Sequence, residues 1–320
     1  MKDGITIVLF LLAVGAAALR FDSGVALNFI MMALYATLLA QAWNMLGGFG
    51  GQFSFGHALF FGSGAYVQAM AQLHGGINAW VALGLAVGAA ALVGAFVGAL
   101  AFRYGLKGSY FALITLAFAE VFRILALSVP FTGAGVGLML PLRAAVSNLQ
   151  FDSPRGYALL LLGVVTLALA VTAWLRHSRF GAQLQAVRDN EDAARALGID
   201  PLRTKLSACV LSAAFMGAAG AIYVQMFQYI DPAIAFGPTT SVEALLGAIV
   251  GGMGTLWGPV LGALALHVLS DVTRNLFGAL PGINMVIYGL VLVVIVMFMP
   301  RGIAGIGRSV RSLWQGGRRG

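Results

Sequence analysis

Long apolar segments dominate this sequence and limit the folds open to it. Ten of them follow one another, near residues 5–19, 25–46, 52–73, 78–102, 109–128, 157–176, 206–229, 241–255, 259–276 and 282–299. A helix needs about 20 apolar residues to cross the hydrocarbon core of a bilayer. Only 9% of the 320 residues are charged, whereas soluble domains carry about 25%. The pattern excludes a soluble domain and predicts an all-α, polytopic transmembrane helical bundle of about ten spans, within a range of 8–10.

Two regions make the number of spans less certain. Residues 47–57 are rich in glycine, which weakens a helix. The segments at 241–255 and 259–276 are short, and a glycine-rich stretch from Gly251 to Pro259 separates them. We therefore expect short or re-entrant segments near 47–57 and 241–276. The first segment has the charge pattern of a signal peptide, but another span follows it at once, so we interpret it as an uncleaved first helix.

The basic residues are distributed unevenly between the two sets of loops. If the segments cross alternately, 14 of the 19 Lys and Arg residues fall on one side. These are Lys2, Arg103, Lys107, Arg176, Arg179, Arg188, Arg195, Arg203, Lys205, Arg301, Arg308, Arg311, Arg318 and Arg319. The positive-inside rule makes that side cytoplasmic, with both termini inside and a basic cytoplasmic tail at 301–320. The net charge of +8 then marks a membrane face and not a nucleic-acid partner.

The segment 47–57 combines five glycines with Gln52, Ser54 and His57. Freed backbone groups at membrane depth are tolerated only against protein or a water-filled cavity. This stretch is either part of a substrate pathway, with Gln52, Ser54 and His57 as its polar groups, or a cytoplasmic turn capped by them. A second GGxG sequence occurs at 251–254, and the predicted orientation places both on the cytoplasmic side, so they do not indicate an inverted repeat.

Glycines separated by three intervening residues favour close helix packing in a membrane. Such pairs are Gly84/Gly88, Gly94/Gly98, Gly247/Gly251 and Gly258/Gly262.

Ionisable residues inside apolar segments are candidates for function. Glu120 and Arg123 lie three residues apart, so they either pair to orient their helix or form the wall of a polar pathway. Thr240 and Glu243 fit a capping box at a helix start. His267, Asp271 and Arg274 share a helix face near the outer end, which predicts a local network. No metal-ligand spacing and no phosphate-binding loop is present in the sequence.

The loop at 177–205 contains a short amphipathic helix. Asp189 or Asn190 can cap its N-terminus, Glu191 and Asp192 suit the positive helix end, and Gly198 suits the residue after its C-terminus. This helix is either a structured connector or the part of the chain that docks on a cytoplasmic motor protein.

Several motifs in order resemble a permease subunit of branched-chain amino-acid ABC importers. They are the stretches 50–58 with 64–66, 108–112 with 115–120, 188–194 with 198–199, 251–255 with 258–259, and 300–302. The stretch 192–198 is also similar to the coupling loop of ABC importers, although Asp192 stands where Glu is usual and the downstream Leu-Pro is absent. The residues that the resemblance assigns to ATPase coupling are Arg188, Asp189, Asn190, Glu191, Asp192, Ala193, Ala194 and Gly198.

The resemblance implies a single transmembrane permease domain over 1–320 in a bacterial inner membrane, with a cytoplasmic coupling loop at 177–205. It implies a homologous permease as partner in a heterodimer, two cytoplasmic ATPase subunits and a soluble periplasmic substrate-binding protein. ATP and Mg²⁺ would bind the ATPases, and this chain would bind no cofactor. A nucleotide site on another chain agrees with the lack of a phosphate loop here.

Other functions are also compatible with the sequence. An ion-coupled secondary transporter could use Glu120 and Arg123 as its coupling pair. Members of the same ABC family carry urea, short amides or aromatic acids. A membrane enzyme is the weakest alternative, because no nucleophile, paired carboxylates or metal set stands out. If the cargo is a zwitterion, helix N-termini and hydroxyls such as that of Ser54 would suit it.

Overall fold

A computed structural model describes residues 2–277, five residues between 286 and 293, and residues 302–305. The apolar segment 282–299 and the basic tail 301–320 lie mostly outside the described residues, so neither prediction is tested by the structure.

The described chain is almost entirely helical. Its α-helices are α1 (Lys2–Arg20), α2 (Gly24–Asn44), α3 (His57–Leu73), α4 (Ala79–Arg103), α5 (Ser109–Ser128), α6 (Pro154–His177), α7 (Arg179–Asp189), α8 (Glu191–Ala196), α9 (Pro201–Phe227), α10 (Pro232–Phe236), α11 (Pro238–Gly251) and α12 (Gly258–Phe277). Two-residue strands, β1 (Leu138–Met139) and β2 (Tyr229–Ile230), pair antiparallel. A π-helical turn occupies Met45–Phe49, and 3-10 turns occupy Pro130–Thr132, Ala134–Val136 and Val146–Asn148.

Seven helical stretches in the described part of the chain are long and apolar enough to cross a membrane. They are Asp3–Arg20, Gly24–Phe49, Ala79–Arg103, Ser109–Ser128, Pro154–His177, Pro201–Phe227 and Pro232–Gly251. The all-α, polytopic membrane bundle predicted from the sequence is confirmed. The expected short segments are α3 and α11, with 17 and 14 residues, while the apolar part of α12 runs from Gly258 to Thr273.

Two helices, α2 and α9, form the centre of the bundle. Helix α9 packs against α3 and α4, and α2 packs against α6, α11 and α12. The approach is close because glycines replace side chains at the crossings: Gly64 lies on the backbone of Gly217, and Gly94 lies on Ala213. Because transmembrane helices associate by close van der Waals packing, these glycines fix which helices meet.

The predicted glycine pairs behave in two ways. Gly94/Gly98, Gly247/Gly251 and Gly258/Gly262 all lie against neighbouring backbone or side chains, which confirms their packing role. A Cβ atom on Gly84 or Gly88 would meet no atom within 4 Å, so the packing prediction is wrong for this pair within the described chain. Both residues lie on the exposed face of α4.

Candidate functional site

The helical structure is interrupted between α2 and α3, and this interruption contains three of the predicted site residues. After the π-helical turn at Met45–Phe49, residues 50–56 form an irregular segment and α3 starts only at His57. The predicted span 52–73 therefore begins five residues late. The cause is local: Gly51 has a φ of +64°, and a side chain on Gly47 or Gly48 would collide with Trp43 or Asn44. Trp43 Nε1 donates to the Ser54 carbonyl at 2.9 Å, which holds this irregular segment against α2.

Gln52, Ser54 and His57 are all buried in the interior. Gln52 Nε2 donates to the Gly50 carbonyl at 3.2 Å, and its Oε1 has no partner. Ser54 Oγ accepts from the Gly56 amide at 3.3 Å. His57 is fully buried, with Nε2 2.9 Å from Ser212 Oγ and with Nδ1 unpartnered. Buried polar atoms without partners are costly, so this cluster holds hydrogen-bonding capacity that the described residues do not use.

A second interruption of helical structure, between α9 and α11, packs against the one between α2 and α3. Helix α9 ends at Gln228 in a left-handed conformation, and α10 then leads to the first turn of α11. Phe236 at the end of α10 stacks on Tyr66 of α3, with ring centroids 5.6 Å apart. Ser241 Oγ, in the first turn of α11, accepts from the Ala58 amide in the first turn of α3 at 2.8 Å. The two short helices therefore begin side by side.

Helices α3 and α11 run from this meeting point towards opposite ends of the bundle. Helix α3 leads to Asn78, whose side chain donates to Ser147 in the 129–153 loop. Helix α11 leads to Gly254, whose amide donates to Asn44 Oδ1 at the end of α2, 2.7 Å away. Each helix N-terminus carries partial positive charge. Sequence patterns did not reveal this inverted pair, because the two breaks share no motif, whereas the two GGxG sequences lie on one side and contact each other.

Glu120 and Arg123 form a bidentate ion pair on the outer face of α5. The two hydrogen bonds measure 2.8 and 2.6 Å, which confirms the predicted pairing. The opposite face of α5 carries Thr115, whose carbonyl touches Gly56 in the break before α3. The pair therefore lies on the same helix as a wall of the Gln52 cluster but points away from it, and its side chains stay 50% and 30% exposed within this chain.

The loop at 177–205 folds into α7 and α8. Asn190 caps α8 as predicted: its side chain accepts from the amides of Asp192 and Ala193 at 3.1 and 3.0 Å. Gly198 has a φ of +81° after the last turn, also as predicted.

Two side chains of this loop anchor it to the membrane helices. Arg188 Nη1 donates to the Gly48 carbonyl at 3.1 Å. Glu191 accepts from Lys205 Nζ at 2.6 Å and lies 3.0 Å from Lys107 Nζ. Burial alone would raise the pKa of Glu191, but the hydrogen bonds and charges of Lys205 and Lys107 outweigh burial and lower it.

Other residues of the loop point outward. Asp189, Asp192 and Ala193 are exposed, and Leu197 presents 80% of its surface. Ala194 is buried beneath them. The predicted coupling set thus divides into residues that anchor the loop and residues that are free on its surface.

Glu243 was given the wrong role by the sequence pattern. Helix α11 begins at Pro238 after Gly237, and Thr240 Oγ1 donates to the Ile234 carbonyl at 3.4 Å, so no capping box forms. Glu243 instead lines a cavity of about 900 Å³ together with Tyr35, His267 and Asp271. The predicted network of His267, Asp271 and Arg274 is not tested, because the side chain of Arg274 lies outside the described residues.

Known proteins match the chain over most of its length. A family described as the branched-chain amino acid transport system permease component matches residues 25–296. The high-affinity branched-chain amino acid transport system permease protein LivM of Salmonella typhimurium is 28% identical, over 99% of this chain and 80% of its own. LivM of Escherichia coli K12 is 28% identical, over 88% and 71%. LivH of the same strain is 26% identical, over 84% and 90%. No solved structure matches. The chain belongs to the permease family of branched-chain amino acid transport systems.

Proposed function

We propose that this chain is a transmembrane permease subunit of an ABC importer that takes up branched-chain amino acids with energy from ATP hydrolysis on separate ATPase chains. The family match over residues 25–296 carries the proposal. The anchored loop at 177–205 supports it, because an importer of this design needs a rigid element that passes motion from ATPase to membrane helices. ATP and Mg²⁺ bind the ATPases, and this chain binds neither.

The proposed location is a bacterial inner membrane, with both chain termini in the cytoplasm. Contacts between loops support one common basic side. Asp3 near the N-terminus lies 3.2 Å from Arg176 and 2.8 Å from His177, and Lys107 lies 3.0 Å from Glu191. Gly302 lies against Gly252, beside the turn that contacts α2. Because these loops hold most of the basic residues, the positive-inside rule makes their side cytoplasmic.

The proposed partners are a homologous permease in a heterodimer, two ATPases and a soluble periplasmic binding protein. Similarity of this chain to both LivM and LivH supports a pair of related permeases. The outward residues Asp189, Asp192, Ala193 and Leu197 form the surface that meets an ATPase, while Arg188 and Glu191 transmit its movement inward.

The proposed substrate pathway includes Gln52, Ser54 and His57 where α3 and α11 begin. The two positive helix ends suit the carboxylate of an amino acid. The unpartnered acceptors, Gln52 Oε1 and His57 Nδ1, suit a hydrogen-bond donor of the substrate. Glu120 and Arg123 point away from these residues on the outer face of α5. They would line the pathway if a second permease packs against that face. A charged pair facing hydrocarbon is costly, which favours such a cover.

The test is uptake of L-[³H]leucine into proteoliposomes that contain the chain with its partner permease, ATPases and binding protein. We expect uptake only when ATP is supplied on the side of the membrane that carries the ATPase subunits. Uptake that follows an ion gradient without ATP would establish the secondary-transport alternative. Replacing leucine with urea, short amides or aromatic acids separates the other cargoes of the same family.

Variants sharpen this test. Leu197→Asp places a charge on the proposed ATPase contact, so we expect loss of ATPase co-purification and of uptake. Leu142→Asp is the matched control, because Leu142 is exposed to a similar extent on the 129–153 loop at the opposite end. Equal ATPase retention by the two variants would contradict the proposed docking surface.

A further inference from the structure

The charged residues that line the cavity at Glu243 are acidic, and the rest of its lining is mainly apolar. The cavity extends between α1, α2, α11 and α12, from Ser23 at the start of α2 to Leu39 near its end. At 1.5 Å per residue this is about 24 Å along α2. Its walls are mainly apolar, including Phe29, Ile30, Met32, Leu246 and Leu266. Its acidic groups are Glu243 and Asp271, and no Lys or Arg among the described residues lines it.

Glu243 has no hydrogen bond or ion pair with the described residues. Two phenol groups lie near enough to interact electrostatically with Glu243. They belong to Tyr35 on α2 and Tyr223 on α9, whose ring centroids lie 6.0 Å apart. His267 also lines the cavity and stacks on Phe29, with ring centroids 4.8 Å apart. A carboxylate at membrane depth that has no ion pair among the described residues is costly unless the cavity supplies a cation.

We propose that this cavity binds the primary ammonium group of an aliphatic amino acid, with Glu243 as its counter-ion. The carboxylate accepts charge-assisted hydrogen bonds from the ammonium, and the ring of Tyr35 offers a face that attracts a cation. The apolar walls accommodate an aliphatic side chain. The inference rests on the proposed function for the identity of the molecule, and it adds a site that is separate from the Gln52 cluster.

A reporter cysteine in the cavity tests the site directly in the full chain. Cys209, which is buried between α4 and α9, is first changed to Ser, and Ala36→Cys then places a thiol on the cavity wall. The rate of its modification by methyl methanethiosulfonate is followed by intact-protein mass spectrometry in nanodiscs of phosphatidylglycerol, a lipid without an amine. Ser270→Cys provides a second reporter, and Leu85→Cys on the exposed face of α4 is the control outside the cavity.

We expect L-leucine and 3-methylbutylamine to slow modification at Ala36→Cys, whereas 4-methylpentanoate, which lacks the ammonium, does not. Glu243→Gln should raise the L-leucine concentration for half-maximal protection about tenfold to a hundredfold, the cost of losing hydrogen bonds to a charged group. Leu85→Cys should be modified at the same rate with and without L-leucine.

Three results would overturn the proposal: equal protection with Glu243→Gln, equal protection by 4-methylpentanoate, or no modification of either cavity reporter. Protection that requires phosphatidylethanolamine in the nanodisc, and not L-leucine, would assign the ammonium to a lipid and also overturn it. Failure of this inference is distinguishable from failure of the proposed function, because ATP-driven uptake is measured in a separate assay without the reporter cysteines.

Discussion

Lys205 is a buried cation near the cytoplasmic end of α9, and it depends on one partner. Its side chain is only 5% exposed and lies over the ring of Phe102, with Nζ 5.7 Å from the ring centroid. Glu191 supplies its counter-charge from α8 and also meets Lys107 in the loop between α4 and α5. The carboxylate of Glu191 therefore connects α8, the α4–α5 loop and α9. Its shortest ion pair, with Lys205, is also largely shielded from solvent.

Glu191→Gln removes this counter-charge and leaves Lys205 buried without one. We expect the free energy of unfolding to fall by about 2–3 kcal/mol, because breaking a buried pair costs more than the pair contributes. Thermal unfolding of the purified chain in detergent measures the change. Asp192→Asn is the control, since Asp192 is the next residue and largely exposed, and we expect it to change stability by less than about 0.5 kcal/mol. Equal effects would show that Glu191 is not an anchor.

The same carboxylate predicts a pH dependence. The pKa of Glu191 is lowered in the folded chain from its ordinary value of 4.5. Its stabilising contribution is therefore complete above pH 4.5 and is lost as the pH falls through the lowered pKa. The difference in melting temperature between the wild-type chain and Glu191→Gln should be constant from neutral pH down to pH 4.5 and shrink below it. A difference that grows on acidification would contradict the assignment.

At the scale of elements, the glycines decide which helices approach closely. Gly64 on α3 lies on the backbone of Gly217 on α9, so a methyl group there has no flexible neighbour to displace. We expect Gly64→Ala to destabilise the chain by about 1–3 kcal/mol. Gly84→Ala on α4 is the matched control: its Cβ meets open space, and alanine favours a helix over glycine by up to about 1 kcal/mol. Detergent unfolding of both variants checks the opposite signs.

Local features of the elements were predictable from the sequence because their causes are local. Asn190 caps α8 and Gly198 follows it, since a capping oxygen and a left-handed residue act within a few positions. The capping box at Thr240 and Glu243 was wrong because α11 already begins at Pro238, which places Thr240 inside its first turn and not at its N-cap. Glycine spacing also could not tell a packed pair from the open pair at Gly84 and Gly88.

At the scale of the molecule, the loop at 177–205 reaches both glycine-rich turns through one side chain. Arg188 donates to the Gly48 carbonyl, and Gly48 lies against Gly254. Arg188→Ala should leave ATPase binding intact but lower the amount of leucine transported per ATP hydrolysed, because motion of the loop no longer reaches α2. Arg203→Ala is the control, since the Arg203 side chain is 87% exposed and pairs with Asp200 of the same loop. An unchanged transport ratio in Arg188→Ala would contradict this role.

The site itself was only partly predictable. Gln52, Ser54 and His57 were identified because glycine density and polar residues coincide in one stretch. Their neighbours Ser212 and Ser241 were not, because each is a lone hydroxyl in an ordinary helix and becomes notable only through contacts 155 and 183 residues away. The cavity at Glu243 was missed for the same reason: its four helices are assembled by tertiary packing.

Those long sequence separations also govern how the chain is made. Gln41 and Asn44 are fully buried near the end of α2, and both side chains bond to the turn at 254–256, some 210 to 215 residues later. Gln41 Oε1 also accepts from Thr172 Oγ1 on α6 at 3.3 Å. At about 5–20 residues per second, the ribosome needs roughly 10–40 s to deliver the partners in the 254–256 turn. Until then the second helix to enter the membrane lacks these partners for Gln41 Nε2 and for the Asn44 side chain. The hydrogen bonds of α2 are therefore completed only after α11 and the turn that follows it have been synthesised. We expect membrane proteases to degrade a nascent chain that is released before the 254–256 turn.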